Sequence, residues 1–71
     1  MKKPYIVIIG LYDENTTEQI VLKEIGVQAK DALEAHKIAF LKCNLTTNET
    51  VLKVLDANKV VCFDHLKGFS T

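Results

Sequence analysis

Residues 5–12 read YIVIIGLY, without a charge and with apolar side chains at successive positions. Side chains along a strand point alternately to its two faces, so an extended segment of this composition is apolar on both. Its isoleucines, valine and tyrosines fit a pleated strand better than a helix. One face of such a strand packs the core. The other needs a second layer, a partner, or local cover. At 71 residues the chain is one domain, residues 1–71. A chain near this size buries only about 60% of the surface its unfolded form exposes. Hiding both faces of the first strand is therefore a demand that the rest of the sequence has to meet.

The remaining segments sort by pattern. Pro4 stands at the strand edge, where a missing N–H costs little. Residues 13–18, DENTTE, form a polar turn, and residues 19–25 form a second strand that Gly26 ends. VQAKDALEAHKIAFLKCN, residues 27–44, has the clearest helical pattern. At about 100° per residue it gathers Ala29, Ala32, Leu33, His36, Ala39, Phe40 and Cys43 on one side. Lys30, Glu34 and Lys37 take the other, and Leu41 falls among them with no evident packing role. Residues 51–55, VLKVL, fit a strand or a helix. The Thr-x-x-Glu spacing at Thr46–Glu49 resembles a capping box, and Val51, Leu52 and Leu55 share a helical face, which favours a helix over residues 47–57. KVVCFD supplies a last strand, and the tail is irregular. The expected fold is α+β: strand-strand-helix-helix-strand, a three-stranded, mainly antiparallel sheet with helices on one face.

Charge narrows the function classes. Nine basic residues balance nine acids, and every basic residue is lysine. Arginine is the forked donor that phosphate and base-edge recognition favours, so direct nucleic-acid binding is disfavoured. No run approaches the roughly 18 apolar residues of a membrane span. Two lysines precede the first apolar run, as in a secretory leader. An acidic turn stands where the small residues of a cleavage site belong, so the run is read as strand. Two cysteines are too few for the disulfide framework of a small secreted domain, which points to reduced thiols in a cytoplasm.

Candidate chemistry is sparse. His36, Cys43, Cys62 and His65 are all metal-ligand types, but His36 and Cys43 stand two helical turns apart, about 10.5 Å along the axis. Zinc needs its ligands within about 2.0–2.3 Å, so no metal is expected. No nucleophile elbow or phosphate-cradling glycine loop occurs. No catalytic residue and no cofactor are assigned. Asp13, Glu14 and Glu18 suit a basic protein surface, with carboxylates standing where phosphates would. Tyr12 beside them is the kind of side chain enriched at interface hot spots. Lys30, Glu34 and Leu41 mark a second candidate edge on the helix.

YIVIIGLYDENTTEQI is similar to the opening of the Dmd-like antitoxins of T-even-type bacteriophages, and VLKVLDANKVVCFD is similar to their closing segment. GVQA resembles their midsection, with Ala29 where the family has tryptophan. The resemblance covers about half the chain. It implies a non-enzymatic inhibitor that occupies the cleft of a bacterial endoribonuclease toxin of the RNase LS type and so protects phage mRNA in the host cytoplasm. Under it, Tyr12, Asp13, Glu14, Glu18, Lys30, Glu34 and Leu41 are expected to bind the partner. The rival expectation is a self-associating structural or adaptor domain, a homodimer whose second copy covers the spare sheet face.

Overall fold

The computed structural model describes residues 1–43, 45 and 48–69. In chain order these form β1 (Lys3–Tyr12), β2 (Gln19–Ala29), α1 (Ala32–Lys42), β3 (Glu49–Leu55), β4 (Val61–Asp64) and β5 (Gly68–Phe69). The strands make one five-stranded sheet in the order β2-β1-β3-β4-β5, and every neighbouring pair is antiparallel. β2 and β3 flank β1, and α1 carries the chain from one to the other.

This corrects the expected arrangement of three strands and two helices. Residues 49–55, expected within a helix, are β3. Thr46 and Thr47 of the supposed capping box lie outside the described residues, and Glu49 pairs with Leu11 across the sheet. The physical reason lies in β1. A strand apolar on both faces cannot leave its N–H and C=O groups unpaired on the side away from β2. The β-branched Val51 and Val54 provide the partner. The tail also departs from expectation, since Gly68 and Phe69 pair with Asp64 and Phe63.

β2 runs past Gly26, which pairs with Ile6, and reaches Ala29 opposite Lys3. The helix accordingly starts at Ala32 and not near residue 27. Asp31 caps it, its Oδ1 accepting the Glu34 N–H at 2.9 Å. Ala35 and Ala39 are fully buried against the sheet. These small side chains let the helix axis approach closely. Leu33 and Phe40, expected on the core side, are instead 48% and 54% exposed. The helix is rotated so that alanine, the smallest apolar side chain, faces the strands.

The main core lies between α1 and the sheet and contains Tyr5, Val7, Ile9, Val27, Ala29, Val51 and Val54. On the opposite face, cross-strand neighbours form the rows Gly26–Ile6–Leu55–Val61 and Glu24–Ile8–Lys53–Asp64. The one helix of the described residues lies on the other side. Ile6 and Ile8 are half-buried there. Part of this face has its own cover. A bulge leaves Leu52 between the partners of Ile8 and Ile9. Leu52 is fully buried yet stands outside the helix-side cluster. Its Cδ1 lies 2.9 Å from where a Cβ at Gly10 would sit. That Cβ would also collide with the Ile20 carbonyl oxygen, so the close approach of β2, β1 and β3 here requires glycine.

All three hairpin turns begin with aspartate. Asp13 Oδ1 accepts the Asn15 N–H at 2.8 Å, Asp56 Oδ1 accepts from Asn58 and Val60 at 2.8 and 2.9 Å, and Asp64 Oδ1 accepts from Leu66 at 2.9 Å. Each is an Asx turn, in which a side-chain carboxylate satisfies the backbone donors that the ladder has just released.

Candidate functional site: an acidic cleft at one end of the sheet

β1 ends and β3 begins at the same end of the molecule, because they are antiparallel. The β1–β2 turn and the β4–β5 turn lie there too. Between them is an open cleft of about 760 Å³. Asp13, Glu14 and Glu18 line it from the β1–β2 turn, Glu49 from the start of β3, and His65 from the β4–β5 turn. Tyr12, Leu11 and Ile20 supply its apolar wall. No lysine lines it.

Tyr12 and His65 close one side, their ring centroids 4.6 Å apart and tilted by 60°. The His65 N–H donates to the Leu52 carbonyl at 2.9 Å, which ties the β4–β5 turn to β3. On the opposite side the β1–β2 turn is held by two backbone bonds, Asp13 N–H to Glu18 O at 3.0 Å and Thr17 N–H to Asp13 O at 2.8 Å. Thr17 sits in the left-handed region at φ 60°. A β-branched residue is unfavourable in that conformation. The Thr17 hydroxyl donates to the Thr16 carbonyl at 2.6 Å.

The residues expected to bind a partner divide into two groups. The cleft brings Tyr12, Asp13, Glu14 and Glu18 together. Lys30 and Glu34 lie at the start of α1, at the other end of the molecule, where the Lys30 N–H donates to Glu34 Oε1 at 3.0 Å. With Asp31 this forms a reciprocal cap on the helix start. Leu41 is 75% exposed and stands seven residues, about two turns, further along. Glu49, Thr50 and His65 also line the cleft and are not among the residues expected to bind a partner. Only the β1–β3 pairing and the β4–β5 turn bring them to the cleft.

The four metal-ligand types have other surroundings. His36 on α1 packs edge-on to Phe63 of β4 at 4.8 Å and 79°, with Phe69 at 6.1 Å. Burial, and then the charge of His65, hold its pKa below the ordinary imidazole value. Cys43 caps the end of α1, donating its backbone N–H to Ala39. Burial and the Asp56 charge push the Cys62 thiol above its ordinary pKa. A thiol with a raised pKa is a poor nucleophile near neutrality. Among the described residues no group of three or more His, Cys, Asp or Glu side chains is placed to hold a metal ion. No helix among them is long and apolar enough to cross a membrane.

Comparison of the chain with known protein families, curated proteins and solved structures gives no match. The cleft itself is the feature that bears on function. Asp13 has a structural duty in its turn, while among the described residues the side chains of Glu14 and Glu18 make no hydrogen bond or ion pair. Charge is also unevenly placed. Asp13, Glu14, Glu18 and Glu49 stand at the cleft end, where Lys42 and Lys67 are outside the lining. The exposed Lys2, Lys3, Lys30 and Lys59 gather at the other end, where they outnumber Asp31, Glu34 and Asp56.

Proposed function

We propose that the chain is a non-enzymatic inhibitor of the Dmd-like antitoxin kind, which binds a bacterial RNA-cleaving toxin through the acidic cleft. One observation carries this reading: four carboxylates, three from the β1–β2 turn and one from the start of β3, gather beside Tyr12 in a cleft that no lysine lines. Like charges gathered with an aromatic and an apolar wall suit a basic protein surface, and an RNA-cleaving site is basic because it must hold phosphates. The carboxylates then stand in for the RNA backbone, and Tyr12 with Ile20 supplies apolar contact area.

The test is inhibition in a reconstituted reaction. Purified chain titrated into an RNase LS-type toxin stops RNA cleavage at equimolar ratio, and co-expression restores bacterial growth. The double variant Glu14→Lys/Glu18→Lys keeps its fold and loses inhibition by about 10- to 100-fold, as expected when charge pairs at an interface are reversed. Cleavage that continues with the chain in excess overturns the proposal.

A further inference from the structure

The cleft contains one group that can become positive. Among the described residues lining it, Asp13, Glu14, Glu18 and Glu49 are acidic, and His65 alone can take up a positive charge. His65 is held there from two directions. Its backbone N–H donates to the Leu52 carbonyl at 2.9 Å, and its ring lies 4.6 Å from that of Tyr12. Asp64 Oδ1 accepts the Leu66 N–H at 2.9 Å and closes the turn around it. His65 is exposed, so protons reach it directly. Histidine is the side chain that ordinarily changes charge between about pH 5 and 8.

We propose that His65 makes the cleft a pH-dependent binding site: neutral, it forms an aromatic wall with Tyr12, and protonated, it repels the basic partner. This rests on the inhibitor reading of the cleft and adds its regulation. A basic surface is drawn in by the four carboxylates. An imidazolium among them cancels part of their field and stands like-charged against the lysines or arginines of the partner. A partner that binds the neutral form better is released as pH falls through the histidine range. Tyr12 suits either charge state, since its ring accepts an aromatic or a cationic neighbour. The device therefore acts through charge and not through a change of shape.

Every element packed around His65 contributes charged or titratable groups. β1 presents Tyr12, the β1–β2 turn Asp13, Glu14 and Glu18, and β3 Glu49, with Lys53 opposite Asp64 further along. The turn that holds His65 also carries Asp64 and Lys67. From α1 comes His36, whose pKa is lowered first by burial and then by the charge of His65. His36 packs on Phe63 and Phe69 and does not line the cleft. Its protonation bears on stability, whereas that of His65 bears on the bound surface.

The test compares inhibition of an RNase LS-type toxin at about pH 7.5 and about pH 5.5, the two sides of the histidine range. His65→Phe keeps a ring against Tyr12 and cannot charge, and His65→Lys is charged at both values. Between the two, inhibition by the unsubstituted chain weakens by roughly 3- to 10-fold more than inhibition by His65→Phe, the size of one like-charge contact near water. His65→Lys is weaker by a similar factor already at the higher pH and follows the same shallow profile as His65→Phe. Titration of the toxin enters all three chains alike and cancels in these ratios. Raised salt shrinks the differences. Equal pH responses in the unsubstituted chain and His65→Phe overturn this inference and leave the inhibitor reading standing. No inhibition by the unsubstituted chain at the higher pH overturns both.

Discussion

His36 of α1 and Phe63 of β4 meet edge to face, ring centroids 4.8 Å apart, and this contact joins the helix to the far side of the sheet. Phe69 of β5 packs on Phe63 at 4.6 Å, so the last hairpin is fastened to the helix through one imidazole. The neutral ring suits this apolar seat, and protonation does not.

Stability is therefore expected to fall in mild acid. The folded-state pKa of His36 lies below the unfolded value near 6.5, chiefly through burial. The unfolded chain then binds more protons as pH drops through and below that value. The contribution is fully present above about pH 6.5, declines as pH falls, and levels off once the pH is below the folded pKa. Thermal unfolding between neutral and weakly acidic buffers shows this as a falling Tm. His36→Phe keeps the aromatic packing and flattens the profile. An unchanged slope in that variant would reject the assignment.

Asp56 is the most heavily used of the three turn aspartates, accepting from both Asn58 and Val60. Asp56→Ala leaves these donors to water and destabilises by about 1–2 kcal/mol, near the range for loss of a capping side chain. Asp56→Asn retains an acceptor oxygen and loses less. Chemical denaturation of the two variants reads the difference directly.

Two turn residues carry backbone strain that glycine relieves. Thr17 and Lys59 have φ of 60° and 65°. Left-handed conformation costs a residue with a Cβ about 1 kcal/mol or more, offset in part by the greater freedom of unfolded glycine. Thr17→Gly and Lys59→Gly are each expected to stabilise by about 0.5–1 kcal/mol, with the larger gain at the β-branched Thr17. A loss of stability at both sites would contradict this conformation of the turns.

A buried leucine of β3 and an exposed leucine of α1 respond differently to truncation. Leu52→Ala removes the side chain that covers Gly10 and costs about 2–5 kcal/mol, as for a buried leucine. Leu41→Ala on the exposed side of the helix changes stability by less than about 0.5 kcal/mol. Gly10→Ala drives a methyl into the Ile20 carbonyl and the Leu52 side chain, and costs about 1–3 kcal/mol as an overpacked site. Equal effects at Leu41 and Leu52 would mean that the cover over Gly10 is not formed.

The parts of the fold that were legible in the sequence are local. Residues 5–12 read as a strand because uncharged β-branched and aromatic residues run together, and residues 13–18 read as a turn because polar residues interrupt them. Residues 51–55 misled because helical and strand patterns coincide over five positions, and a Thr-x-x-Glu spacing tipped the balance. What decided the matter was the open side of β1, a long-range demand that no window of a few residues contains. An early helix start is expected for the same reason, since Val27 and Ala29 are apolar as β2 residues facing the core beneath α1 and not as members of the helix. Within the cleft, Tyr12, Asp13, Glu14 and Glu18 fall within seven consecutive residues and could be found together. Glu49 and His65 arrive by pairing and by a turn. The signal that could have revealed His65 is the aspartate that opens each hairpin turn, which marks residues 64–67 as a turn.

The excess of carboxylates at one tip and the smaller excess of lysines at the other have a kinetic consequence. A molecule with no net charge feels little overall pull from a charged target, but an uneven distribution makes it an electric dipole. Within the range that dissolved salt permits, about 8–10 Å, a basic surface would exert a torque and turn the tip of the molecule toward itself before contact. Productive collisions would then outnumber random ones, and the advantage would fade as the solution is made more saline.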